Sequence, residues 1–139
     1  MNHPDTVPVA LTRRAVVVAG GAAVLGAGVL AAGCSAQPAR VAAGPGTALG
    51  PATDVPVGSA KIFDDQGVVV TQAAAGTYAG FSTVCPHQGC SVSKVTAGRI
   101  VCPCHGSTFA LDGSVVQGPA PTGLTAMGVT VTGGQITLT

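Results

Sequence analysis

At 139 residues, with 3% aromatic residues, no Trp and no Glu, the chain holds material for one small domain whose apolar core must come from Val, Ile and Leu. The formal net charge is +1; from residue 34 onward four basic side chains (Arg40, Lys61, Lys94, Arg99) face four acidic ones (Asp54, Asp64, Asp65, Asp112). With no basic patch and no aromatic stacking platform, nucleic acid is excluded as a partner. A core this thin calls for a metal or disulfide staple.

Residues 1–33 read as an address. Arg13 and Arg14 precede an uncharged, Ala/Gly/Val-rich run over residues 15–33. Paired arginines before such a run resemble a bacterial twin-arginine export signal, the type that passes folded proteins with their cofactors already loaded. The run is also long enough to span a bilayer, so a plain single-pass anchor stands as the alternative. It ends LAAGCS, and small residues before Cys34 resemble a lipoprotein lipobox in which that cysteine is acylated, although Ala31 stands where Leu is usual. Either reading places the remainder outside the cytoplasm, attached to the outer face of the bacterial cytoplasmic membrane. Residues 34–57 carry Pro and Gly punctuation without amphipathic period and are expected to be a flexible tether.

A domain is expected over residues 58–139. No helical stripe occurs there, and short Val/Ile/Thr runs recur between Gly-containing turns. Strands are expected near 59–63, 67–72, 77–83, 99–101, 107–110, 114–117, 125–132 and 135–138. Gly133-Gly134, Asp112-Gly113 and Ala97-Gly98 supply hairpin signals. The fold class is all-β: a small antiparallel domain with both Cys/His clusters in turns after strands.

Those clusters are CPHQGC at 85–90 and CPCHGS at 102–107, holding four of the five cysteines and two of the three histidines. Four of these side chains could build a tetrahedral zinc site, but two ligating groups would be left over. Covalent haem needs C-x-x-C-H, and Cys102-Pro103-Cys104-His105 is one residue short. A pure disulfide framework gives no reason for a histidine in each cluster. Two C/H pairs, C-x-H and C-x-x-H, suit a two-iron cluster with thiolates on one iron and imidazoles on the other.

The two motifs together resemble the signature of Rieske [2Fe-2S] proteins. The resemblance extends to GPAP at 118–121, which matches the family's proline-containing loop over the cluster's third side. It is greatest toward the small exported actinobacterial type. The resemblance implies a Rieske-type β-sandwich with one [2Fe-2S] cluster, ligated by Cys85, His87, Cys102 and His105. It further implies a Cys90–Cys104 disulfide like that of cytochrome bc-type members, leaving Cys34 for lipid. Ser107 matches a serine that donates to a bridging sulfide, and Pro119 belongs to the covering loop. Phe109 stands where high-potential members have Tyr, which implies an intermediate potential; Phe109 also reads simply as core.

No second metal centre is available, since the remaining histidine, His3, lies in the address segment, and Gly20-Gly21 is not a dinucleotide loop. The function expected is one-electron transfer between redox donor and acceptor proteins or quinol, by a membrane-tethered domain. The alternative is the Rieske subunit of a larger quinol-oxidising or arsenite-oxidase-like complex; a structural zinc or disulfide domain is the third class.

Overall fold

The computed structural model describes residues 42–139, so Arg13, Arg14 and Cys34 lie outside the described residues. Eleven short strands and two single-turn 3-10 helices make up the described fold. None of its helices is long and apolar enough to cross a membrane.

Strands β2 (Ser59–Phe63), β3 (Val68–Ala74), β4 (Thr77–Ser82) and β9 (Ala126–Met127) form a four-stranded antiparallel sheet in the order β2-β3-β4-β9. Its strand β3 begins VVVTQ, and all five residues are buried. Such a continuous run marks a strand covered on both faces. Val69 packs into one apolar cluster with Ala60, Phe81, Val92, Ile100, Phe109 and Leu124, while Val68 and Val70 point into another with Val55, Phe63, Ile136 and Leu138. This sheet is therefore the middle layer. On one side lies a three-stranded sheet of β1 (Ala48–Pro51), β11 (Gln135–Leu138) and β10 (Val129–Thr132), in that order. On the other lies the four-stranded sheet of β5 (Lys94–Thr96), β6 (Arg99–Val101), β7 (Thr108–Phe109) and β8 (Val115–Gln117), which carries the Cys/His loops.

The hairpin signals behave as their chemistry requires. Gly133-Gly134 joins Thr132 to its ladder partner Gln135, and Ala97-Gly98 joins Thr96 to Arg99, with positive φ at all four turn residues. At the β7–β8 turn, Asp112 Oδ1 accepts from the Ser114 amide at 2.9 Å and the Ser114 hydroxyl at 2.6 Å, bonds that hold its carboxyl below the ordinary value.

The structure departs from the expected segmentation in three places. The segment expected to be tether up to residue 57 contains β1, whose residues 48, 50 and 51 pair antiparallel with β11, followed by a 3-10 turn over Ala52–Asp54. Val55 is 2% exposed, and Ala42, Ala43 and Leu49 pack on the same apolar cluster, so the ordered domain begins well before residue 58. Pro51 is tolerated because β1 is an edge strand. The expected strand over 125–132 is two strands in different sheets, β9 on β4 and β10 on β11. The switch falls at Gly128, which lies so close to the Thr139 side chain that a Cβ would overlap it. Finally, β5 precedes β6 as the first arm of a hairpin whose second arm alone was expected.

Candidate metal centre

The first Cys/His loop follows β4, and the second joins β6 to β7. Both have one backbone design. In the first, the Cys85 amide donates to the Cys90 carbonyl at 2.8 Å and the Gly89 amide to the Cys85 carbonyl at 2.9 Å. In the second, the Cys102 amide donates to Ser107 at 2.8 Å and the Gly106 amide to Cys102 at 3.2 Å. A proline follows each leading cysteine, fixing φ as the chain turns outward, and Gly89 and Gly106 each take φ 74° to bring it back. The sequence C-P-x-x-G is thus a description of one loop used twice.

The leading cysteines point inward. Cys85 is 1% and Cys102 2% exposed, both within the apolar cluster under the loop sheet, with Cys85 near enough to act on the Cys102 thiol. Burial pushes the Cys102 thiol up from its ordinary value. The amides of Cys104 and His105, which point at its sulfur, oppose this; the adjacent Cys85 adds to the rise. Amide donors aimed at a desolvated sulfur suit a thiolate whose charge a metal ion balances. The histidines point the other way: the rings of His87 and His105 meet edge to face, centroids 4.7 Å apart, with His87 half-buried and His105 exposed. Two thiols lie inside and two imidazoles meet at the rim.

Cys90 and Cys104 are joined by a disulfide that ties one loop to the other, Cα atoms 6.5 Å apart and 14 residues apart in sequence. Closing a segment of that length stabilises by about 3 kcal/mol in the chain-entropy account. The sulfurs of Cys90, Cys102 and Cys104 lie within 4.8 Å of one another. Two of them are consumed in the disulfide and carry no anionic charge, so this trio is not a ligand set; Cys102 is its one free thiol. The donor set that fits a two-iron group is the two thiols and the two imidazoles.

A third segment, residues 118–121, closes on the second loop. The Ala120 amide donates to Ser107 Oγ at 3.2 Å, where Ser107 is 1% exposed. Gly118, at φ 104°, approaches so closely that a Cβ would sit 2.5 Å from Ser107 Cα and 2.9 Å from its amide nitrogen. Pro119 is exposed, and buried Ala120 makes the inward contact. The loop 118–121 was expected from sequence, but only Pro119 was singled out in it; Ala120 and Gly118 were not, because one acts through its amide and the other through a missing side chain. Phe109 is fully buried in the same apolar cluster as Cys85 and Cys102, as its core reading required.

The fold and the paired thiol and imidazole loops define an iron–sulfur electron-transfer protein, and comparison with known proteins gives the family. The model of the Rieske [2Fe-2S] domain matches residues 47–128, more than half of the chain, and the chain belongs to that family. The match begins one residue before β1, in agreement with the earlier domain start seen in the structure. The chain is 40% identical over 93 residues to the cytochrome b6-f complex iron-sulfur subunit of Chlorobaculum tepidum, an alignment covering 64% of this chain and 50% of that protein. It thus spans about half the length of that relative. Among solved structures, the cyanobacterial plasma membrane Rieske protein PetC3 of Synechocystis PCC 6803 superposes with a TM-score of 0.54 at 27% identity, covering 67% of this chain and 98% of that one. The ferredoxin of carbazole 1,9a-dioxygenase from Nocardioides aromaticivorans shares the fold at 20% identity, TM-score 0.52, covering 68% and 97%. The cofactor is a Rieske-type [2Fe-2S] cluster.

Proposed function

We propose that Cys85 and Cys102 hold one iron and His87 and His105 the other, and that the protein is a one-electron carrier tethered to the outer face of the cytoplasmic membrane. The observation that carries the ligand assignment is the segregation of two buried thiols in one apolar cluster from two imidazoles that meet edge to face at the rim. When bound, the group takes up and gives up a single electron, and neutral imidazoles in place of two thiolates put such centres at roughly −150 to +300 mV. The chain's part is positional. Exposed His105 and half-buried His87 make the rim the shortest way out for an electron, while the apolar cluster under Cys85 and Cys102 excludes water from the sulfur side. Ser107 Oγ accepts from Ala120, which leaves its own proton free to donate toward a sulfur.

Tethering is supported by the paired arginines Arg13 and Arg14, the apolar run after them and Cys34 in its lipobox-like setting, together with the description of PetC3 as a plasma membrane protein. A second reading, membership of a larger quinol-oxidising complex, is favoured by the likeness to cytochrome b6-f subunits. Gentle solubilisation of native membranes separates the two: a carrier runs alone or with a single partner, a subunit co-migrates with a cytochrome assembly.

The ligand assignment is tested by His87→Ser and His105→Ser, each expected to be colourless, with Lys94→Ala as a coloured control. A Rieske-type electron paramagnetic resonance spectrum from either histidine variant overturns it. Changing Arg13 and Arg14 to Lys keeps the charge and removes the paired arginines; cluster-loaded protein is then expected to stay in the cytoplasm, and unchanged export overturns the twin-arginine reading. Cys34→Ala is expected to release the domain from membranes, and continued attachment refutes the lipid.

A further inference from the structure

The disulfide and the free thiol of Cys102 are close enough to react. Cys102 Sγ and both sulfurs of the Cys90–Cys104 bond lie within 4.8 Å of one another, the proximity of free thiol and disulfide that an intramolecular thiol–disulfide exchange requires. Cys90 and Cys104 are half-buried, so the bond sits beside the inner pocket without being sealed off from water. We propose that iron ligation by Cys102 is what protects this disulfide, and that in the cluster-free chain Cys102 attacks it, pairs with Cys90 and removes itself from the ligand set. The proposal rests on Cys102 being a ligand.

The step balances without oxidant or reductant. A bond forms between the sulfurs of Cys102 and Cys90 as the Cys90–Cys104 bond breaks; Cys104 leaves as a thiolate and takes up the proton that Cys102 gave up. Attack on Cys90 is preferred over Cys104, because a Cys102–Cys104 bond would close a small ring across Pro103, whose φ is fixed. The product has the same number of disulfides, and one of its two inner thiols is gone. In an oxidising compartment no reductant resets the pairing, so the exchanged form persists as far as it is the more stable of the two and slows reloading of the cluster. The cluster is in this sense the template that dictates which of the four loop cysteines pair.

The test uses the full loaded chain. Iron is stripped anaerobically with a chelator, aliquots are quenched in acid, free thiols are alkylated, and trypsin cleaves after exposed Lys94 and Arg99, which lie between the two loops. Cys102 and Cys104 fall in one fragment, so its backbone fragmentation between them in tandem mass spectrometry assigns label and pairing to each cysteine. Before stripping, label is expected on Cys85 and Cys102; afterwards it should leave Cys102 and appear on Cys104, at a rate independent of protein concentration. Iron and sulfide should restore colour more slowly without prior reduction than after it. Label that stays on Cys85 and Cys102, or reloading equally fast with and without reductant, overturns the exchange. Cys102→Ser separates the two ideas: a Rieske spectrum from it refutes the ligand assignment, whereas a colourless Cys102→Ser beside an unshuffled wild-type chain refutes the exchange alone.

Discussion

Replacing Ser107 by Ala removes an oxygen that accepts from the Ala120 amide and, in the arrangement proposed above, donates to a sulfur of the bound group. Ser107 is 1% exposed, and its Oγ is the acceptor for the amide of Ala120, itself 7% exposed. Without it that amide loses its partner in a buried setting, which costs about 1–3 kcal/mol. The flanking Gly118 and Pro119 are exposed, so water can reach the loop once it loosens, and the lower half of that range, about 1–2 kcal/mol, is expected. For a domain of this size that corresponds to a fall in melting temperature of about 4–16 °C. The Ser107 carbonyl keeps its bond from the Cys102 amide, so the loop itself survives. The second effect is electronic. Losing a donor to sulfur disfavours the more negative reduced state, and a difference on the order of 1 kcal/mol between redox states is a fall of a few tens of millivolts for one electron. Guanidinium titration at constant m-value and voltammetry on the same preparation read the two effects separately. An unchanged potential beside a lowered unfolding midpoint would reduce Ser107 to a clamp for residues 118–121; an unchanged midpoint would refute the clamp.

Gly118→Ala strikes the same contact from the other side. The forbidden φ costs about 1–2 kcal/mol, and a Cβ 2.5 Å from backbone that cannot swing away adds about 1–3 kcal/mol, so its unfolding midpoint should fall below that of Ser107→Ala. Equal or greater stability than wild type refutes the close approach. Phe109→Tyr, at a fully buried position beside Cys85 in the core, is expected to raise the potential by a few tens of millivolts if the new hydroxyl reaches a ligand sulfur. An intact cluster at unchanged potential shows that residue 109 does not face sulfur. The double variant Cys90→Ser/Cys104→Ser, which leaves no stray thiol, should lose about 3 kcal/mol in denaturant titration. A loss well under 1 kcal/mol would mean that the two loops hold together without their link.

The parts of the fold that came through in the sequence are those written in side-chain chemistry. Gly133-Gly134 and Ala97-Gly98 are turns because their φ values demand it, and the Val/Ile runs of β3, β6 and β11 are strands with buried side chains. Strand β1 did not come through, since ALGP carries two residues that ordinarily end strands and owes its structure to pairing with β11, more than eighty residues away. The same holds for the tie between sheets, where the Thr71 hydroxyl donates to the Leu111 carbonyl at 2.8 Å; nothing in a Val-rich run distinguishes a threonine that bonds across layers from one that fills space.

The centre divides along the same line. Its ligand candidates were legible because cysteine and histidine have few other reasons to cluster, and its disulfide through the family resemblance, whereas Ala120 and Gly118 act through an amide and an absence. What the motif spacing means becomes clear only when the two loops are laid over one another. Both start with a buried cysteine and return through a glycine four residues on, so equivalent positions can be compared. The third position is His87 in the first loop and Cys104 in the second; the fourth is Gln88 in the first and His105 in the second. Two histidines at equivalent positions would belong to equivalent points of the two loops. Offset by one, they meet edge to face at the rim, and the position vacated in the second loop goes to Cys104, half of the bond that holds the loops together. The one-residue difference between C-x-H and C-x-x-H thus makes room for the disulfide as well as the second imidazole.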